Sequence, residues 1–188
     1  MEEDFSNLQD EEIVRLVQSG KAEPFNFLII RYEKKIENYA RHFLSDKEEI
    51  NDALQEIFIK AYKNIKSFDA ERKFSSWLYR IAHNEFINAL KRKSKKTLPL
   101  IDFDVFFPFQ SQKNAVSEEL DRQENRKIVD EFLNRLEIKY KEPVVLYYLD
   151  DLSYREIADI LHIPIGTVGV RIKRAKDIMK NYSKELGY

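Results

Sequence analysis

Three long stretches of this chain place apolar residues every three or four positions, and no stretch of useful length alternates every second residue. Over 22–44 the apolar positions are Phe25, Leu28, Ile29, Tyr32, Ile36, Tyr39, Ala40 and Phe43. Over 47–65 they are Ile50, Ala53, Leu54, Ile57, Phe58, Ala61, Tyr62 and Ile65. Over 74–95 they are Phe74, Trp77, Leu78, Ile81, Ala82, Phe86, Ala89 and Leu90. A helix of 3.6 residues per turn gathers such positions on one face, whereas a half-buried strand needs a period of two. The apolar surface can then be buried by packing helix on helix, so the expected fold class is all-α. A shorter helix is expected over 9–19, with Gly20 as its C-terminal cap.

The helical pattern stops at residues 97–117, TLPLIDFDVFFPFQSQKNAVS, which hold two prolines, few charges and no period. A connection of this length is unusual inside a compact domain. The expected organisation is therefore one helical domain over 1–96, a linker over 97–117 and a second helical domain over 118–188. Phe103, Phe106, Phe107 and Phe109 would be costly to leave in water, so the linker either packs across the protein's own domains or binds a partner. In the second domain, helices are expected over 118–136 and 139–149, followed by a helix pair.

That pair is SYREIADILHIPIGTVGVRIKRAK, from Ser153 to Lys176. Ser153 and Glu156 have the spacing of a capping box, in which each side chain satisfies a free N–H at the helix start. Ile157, Ala158, Ile160 and Leu161 give the first helix its apolar face. Pro164 disfavours helical geometry at Ile163 and so ends it. Val168, Ile172, Ala175 and Met179 form the stripe of the second helix, with Arg171, Lys173, Arg174 and Lys176 between them. This is the layout of a helix-turn-helix, whose second helix enters the major groove of duplex DNA.

The formal net charge of −1 conceals a segregated pattern. Residues 1–58 carry a net −7, residues 59–96 a net +8 and residues 97–188 a net −2. Within the last block, 165–188 hold six basic residues against Asp177 and Glu185. Phosphate contacts need local positive charge, not a basic whole protein. The chain has no cysteine, which removes disulfides, Cys-ligated zinc and a thiol nucleophile. Its four glycines form no phosphate-cradling loop, and His42, His83 and His162 fall at no metal-ligand spacing. No cofactor, metal or catalytic residue is expected. No apolar run approaches the roughly 20 residues of a membrane span, and the acidic start MEEDFSNLQDEE does not read as a secretory signal, so a cytoplasmic location is expected.

The second basic region runs from Phe68 to Lys96. It crowds Trp77, Tyr79, Arg80, His83 and Asn84 into about two turns, ahead of Lys91, Arg92, Lys93, Lys95 and Lys96. Aromatic faces stack on unpaired bases while basic groups follow the backbone, a combination suited to single-stranded DNA. Trp77 is expected to be mostly core, with Arg80, His83, Asn84 and the loop Asp69–Arg72 exposed.

A duplex-binding and a single-strand-binding segment joined by a linker is a specific combination, and here the sequence resembles a known family. DALQEIFIKAYKNIKSFD, Asp52–Asp69, is similar to the polymerase-binding helix of bacterial sigma factors of group IV, the extracytoplasmic-function type. FSSWLYRIAHN, Phe74–Asn84, resembles that family's W-L-Y-R-I-A-x-N signature, and LSYREIADILHIPIGTVGVRIKRAK resembles its −35-binding helix-turn-helix. The resemblance covers nearly the whole chain, with the motifs in family order.

The resemblance implies roles. Asp52, Gln55, Glu56 and Ile59, which share one helical face, would meet the coiled-coil clamp of the polymerase β′ subunit. Asp69, Ala70, Glu71 and Arg72 would form a loop that captures a flipped base of the −10 element. Asn84 would line that pocket with Arg80 and His83 nearby, and Lys91, Arg92 and Lys93 would hold the melted strand. Thr167, Gly169, Val170, Arg171, Lys173, Arg174 and Lys176 would form the −35 contact. Arg171 and Arg174 are the candidates for base edges, and Lys173 and Lys176 for phosphates. Gly169 and Val170 stand where relatives commonly carry a basic residue and a serine, and Asn88 where many carry aspartate. The implied partners are core RNA polymerase, through the β′ clamp and β flap, promoter DNA and an anti-sigma factor. A monomer is expected when free, since no heptad seam remains.

Two other readings compete. A free-standing helix-turn-helix repressor or activator would bind duplex DNA tightly without polymerase, but leaves the Phe74–Asn84 segment unexplained. A nuclease would need metal ligands, and pairs such as Asp150-Asp151 and Glu48-Glu49 read better as caps and solvated faces.

Overall fold

A computed structural model describes Phe5, residues 7–97 and residues 128–185. The side chains of 93–97 and of Glu185 lie outside that description, as do the expected linker 97–117 beyond Thr97 and most of the helix expected over 118–136. Among the described residues every long regular element is helical, as the periodicity requires. None of these helices is long and apolar enough to cross a membrane. The chain divides into two compact units, with the break after Lys93.

The first unit holds α1 (Asp10–Gln18), α2 (Phe25–Arg41), α3 (Lys47–Asn64), a 3-10 turn (Ile65–Ser67) and most of α4 (Phe74–Thr97). Helix α1 opens with Glu12 accepting the Gln9 N–H at 2.7 Å. It closes as a Schellman motif. The Gly20 N–H donates to Val17 and the Lys21 N–H to Leu16, with Gly20 at φ +106, a conformation that favours glycine. Helix α2 is shorter than its apolar pattern suggests. It ends at Arg41, where the Phe43 and Leu44 N–H groups both fold back onto the Ala40 carbonyl. Phe43 still reaches the core, but from beyond the helix. Asp46 then caps α3 by accepting from the Glu48 and Glu49 N–H groups.

The core of this unit follows the predicted faces, although Ile29, Ile81 and Leu90 are only half-buried. Ile50, Ala53, Leu54, Ile57, Phe58 and Ala61 of α3 are buried, whereas Tyr62 lies at the edge with its ring 5.1 Å from Phe25. Tyr79 of α4 is fully buried, its ring 5.4 Å from Tyr39, so it cannot stack on a base. Glu85 is only 6% exposed and is paired with Lys60 of α3 at 2.5 Å. Asp10 ties α1 to α2, accepting from Arg31 at 2.6 Å and from the Tyr32 hydroxyl at 2.5 Å. Burial, and then the bond to Asp10, raise the Tyr32 pKa, so its proton stays in place.

In the second unit, α5 (the described part, 128–134), α6 (Ile138–Tyr148), most of α7 (Tyr154–Leu161) and α8 (Ile165–Glu185) surround Leu133, Val145, Leu146, Ile157, Val168, Ile172 and Ala175. Pro143 sits inside α6 with its ring in the core, and it has no N–H to offer the carbonyl one turn back. Beside it Lys141 is 3% exposed, its Nζ donating to Asn134 Oδ1 at 3.1 Å.

Burial lowers the Lys141 pKa from 10.5 to about 8. Between those values the unfolded chain holds a proton that the folded chain has lost, so stability conferred at this site rises with pH. The gain is on the order of 3 kcal/mol at most, at about 1.4 kcal/mol per pKa unit. Lys141→Met is expected to be more stable than the parent at pH 7, and that advantage to shrink as urea titrations are repeated from pH 8 to 10.5.

Candidate nucleic-acid interface

The loop between the 3-10 turn and α4 is held by its own backbone and by Asp69. The Arg72 N–H donates to the Asp69 carbonyl at 2.9 Å, and the Glu71 N–H to Asp69 Oδ1 at 3.1 Å, an Asx-type turn. This leaves Asp69, Glu71 and Arg72 exposed, with Ala70 half-buried. The Arg72 guanidinium lies 3.7 Å from Asp69. The loop feeds into Phe74, which is 0% exposed and starts α4 with its ring 6.0 Å from Phe68 and 5.7 Å from Trp77.

Helix α4 carries the rest of this surface on its outer face. Trp77, Arg80, Asn84, Asn88 and Lys91 recur at steps of three and four, so they form one stripe opposite Leu78, Ala82 and Ala89. Asn84, Asn88, Lys91 and Arg92 are exposed, while Trp77, Arg80 and His83 are half-buried. Arg80 and His83 are thus less open than their sequence position suggested. Trp77 offers part of its ring to solvent while the remainder packs on Phe68 at 4.9 Å. Lys93 continues the helix, but its side chain lies outside the described residues. The stripe joins a partly open aromatic ring, two carboxamides and basic groups, the set needed to stack on a base, bond its edge and follow its phosphates.

On α3, Asp52, Gln55, Glu56 and Ile59 are all exposed on the face opposite the buried set. Ile59 is 44% exposed, an apolar side chain beside the polar Gln55 and Glu56.

In the second unit the capping box forms as the spacing predicts. The Glu156 N–H donates to Ser153 Oγ at 3.4 Å, and Glu156 Oε2 accepts the Ser153 N–H at 2.9 Å. The turn between α7 and α8 is made less by Pro164 than by His162. His162 takes the left-handed conformation at φ 53 and ψ 43, and the Ile163 N–H donates to the Ala158 carbonyl at 3.1 Å. Pro164 then opens α8, its carbonyl accepting the Thr167 N–H at 2.8 Å.

Val168, Ile172 and Ala175 point α8 into the core, so Gly166, Val170, Lys173, Arg174 and Asp177 face outward. Val170 is 68% exposed at the centre of that face, and Lys173 and Arg174 flank it one turn on. Thr167 and Arg171 sit at the border, half-buried, so Arg174 and not Arg171 is the arginine aimed most directly outward. Lys176 stands at the other border with Nζ 5.6 Å from the centre of the Tyr148 ring, and its hydrogen bond to Tyr148 raises its pKa. Gly169 backs onto Tyr154 of α7.

Sequence reasoning missed the side chains of α1 that bear on the 69–72 loop. Glu11, Arg15 and Gln18 have the four-three spacing of one helical face, but nothing local names what that face meets. Arg15 Nη2 donates to the Ala70 carbonyl at 3.2 Å and to Glu71 Oε1 at 2.8 Å.

Comparisons with known proteins identify the family. Residues 28–96 match the family model "Sigma-70 region 2", and residues 126–179 match "Sigma-70, region 4". The chain is 34% identical over 184 residues to the ECF RNA polymerase sigma factor SigW of Bacillus subtilis, covering 92% of this chain and 96% of that relative. It is 34% identical over 181 residues to the ECF RNA polymerase sigma-E factor of Escherichia coli K12, covering 93% and 94%. Two solved structures share its fold at 22% identity. One is CnrH in complex with the cytosolic domain of CnrY, with a TM-score of 0.71 over 94% of this chain and 97% of that one. The other is RpoE in complex with the anti-sigma factor NepR from Bartonella quintana, with a TM-score of 0.69 over 87% and 98%.

A Cβ added at Gly169 would lie 3.5 Å from the Tyr154 ring, an ordinary contact, inside a helix where glycine costs about 1 kcal/mol relative to alanine. Gly169→Ala is therefore expected to stabilise the protein by about that amount, read as a higher urea midpoint with an unchanged slope.

Proposed function

Because the chain belongs to the extracytoplasmic-function sigma factors of RNA polymerase, we propose that it binds core polymerase and directs it to promoters by reading −35 and −10 elements, then assists melting. The observation that carries the reading is the stripe of α4 together with the outward face of α8. One has the chemistry for unpaired bases, the other for duplex DNA, and a repressor needs only the second.

In this reading, residues 1–96 hold the polymerase- and −10-binding domain, 97–117 the linker and 118–188 the −35-binding domain. Asp52, Gln55, Glu56 and Ile59 bind the polymerase β′ clamp, with acid–base complementarity around an apolar contact. The loop Asp69–Arg72 and Asn84 receive a flipped non-template base. Its extrusion costs a few kcal/mol, which stacking and edge hydrogen bonds offset. Lys91, Arg92 and Lys93 hold the displaced strand by its phosphates. On α8, Arg174 reads a base edge with Arg171 beside it, and Lys173 and Lys176 meet phosphates. Val170 presents an apolar surface of the kind that packs on a thymine methyl.

Catalysis stays with the polymerase, and this chain acts where the polymerase does, in the cytoplasm. An anti-sigma factor that covers the polymerase-binding surfaces would hold it inactive. The two solved structures with partner chains are of that kind of complex for RpoE, and of CnrH with the cytosolic domain of CnrY.

Run-off transcription on a library of promoters from the source genome, with bacterial core polymerase, tests the proposal. New transcripts sharing a −35 and a −10 element are expected only when this protein is added. Asn84→Ala and Arg174→Ala are each expected to reduce them at least tenfold, the equivalent of one good base contact. Tight, specific duplex binding by the protein alone, without core binding or transcripts, would support a repressor instead.

A further inference from the structure

The contacts of α1 with the chain between Ile65 and Phe74 do more than close the core. Gln18 Nε2 donates to the carbonyls of Ile65 and Phe68, both at 2.8 Å, just before the loop. Arg15 grips the loop itself through Ala70 and Glu71. Glu11 Oε1 accepts the Phe74 N–H at 2.8 Å, just after it. One helical face thus fastens the segment at its entry, its crown and its exit. Helix α1 is in turn anchored to α2 through Asp10.

The three fastenings differ in kind. Gln18 is part-buried and satisfies two backbone carbonyls at once, so it serves the fold. Arg15 and Glu71 are exposed, and their pair lies where an ion pair adds little to stability. An exposed arginine that contributes little to folding, yet contacts both the backbone and the side chain of a four-residue loop, restricts the loop's conformations. It also offsets the Glu71 charge, which would otherwise repel incoming phosphates.

We propose that Arg15 is a positioning residue for −10 recognition, holding the Asp69–Arg72 loop in the shape that accepts the flipped base. This rests on the proposed role of that loop. An unrestrained loop would still bind DNA, but would order itself only on contact and so discriminate less between bases.

The test uses the full-length protein with core polymerase and a pool of promoters with a fixed −35 element and a randomised −10 element. The transcripts are sequenced for wild type, Arg15→Ala, Arg15→Lys, Glu71→Ala, Arg72→Ala and the Arg15→Ala/Glu71→Ala pair. Arg15→Ala is expected to lower discrimination at the loop-read base about tenfold, the scale of one charge-assisted hydrogen bond. Core affinity and thermal midpoint should hold, Arg15→Lys should recover part of the preference, and removing Arg15 should cost less in the Glu71→Ala background, where only the Ala70 contact is left to lose, than in the wild type. An unchanged base preference in Arg15→Ala, with the preference altered in Glu71→Ala or Arg72→Ala, overturns the positioning role while leaving the loop's role intact. An unchanged preference in both loop variants overturns the loop reading and the proposal with it.

Discussion

Phe74 is the residue on which the first unit turns. It is at once the first residue of α4 and a fully buried core residue, with rings of Tyr32, Phe68 and Trp77 around it. Edge-on and tilted aromatic contacts of this kind are directional as well as apolar, so they set an orientation and not merely a depth. Its N–H is spoken for by Glu11 of α1. The residues before it must therefore leave the core as a short exposed loop, and the residues after it must run as a helix whose outer stripe begins at Trp77. The two parts of the candidate single-strand surface are neighbours because one buried phenylalanine joins them.

Charge follows the same economy. The chain is nearly neutral, yet residues 1–58 carry a net −7, and the basic excess falls on α4 and α8. Such segregation costs little stability in water, since exposed charges farther apart than about 10 Å are largely screened at ordinary salt. It gives each helix face a different partner chemistry. Where a charge is buried, the protein supplies a specific answer: Lys60 beside Glu85, and Asn134 beside Lys141.

Much of this was legible in the sequence because it depends on local spacing. The exposed set Asp52, Gln55, Glu56 and Ile59 follows from helical period alone, and the Ser153–Glu156 capping box from two residues three apart. Boundaries were less legible. Phe43 keeps the apolar period of α2 but belongs to the turn after it, because the Ala40 carbonyl recruits the next N–H groups. His162 adopts a left-handed conformation that Pro164 alone does not announce. Tyr79 belongs to the same string as Trp77 and Arg80, but its position on the helix turns it inward against Tyr39. The contacts of Arg15 with Ala70 and Glu71 span 55 and 56 residues, and no local pattern encodes a partner at that distance. The motifs carry the role proposed for each surface, and the long-range contacts hold it in shape.

In the proposed function, this chain opens DNA only in company with core polymerase, using a surface that accepts unpaired bases. The most direct measurement is permanganate reactivity of the thymines in a promoter that the core complex has selected. The account predicts reactive, unpaired thymines around the −10 element with core and this protein together, and none with either alone. Protection of the duplex by this protein alone, with no reactive thymines when core is added, would contradict it.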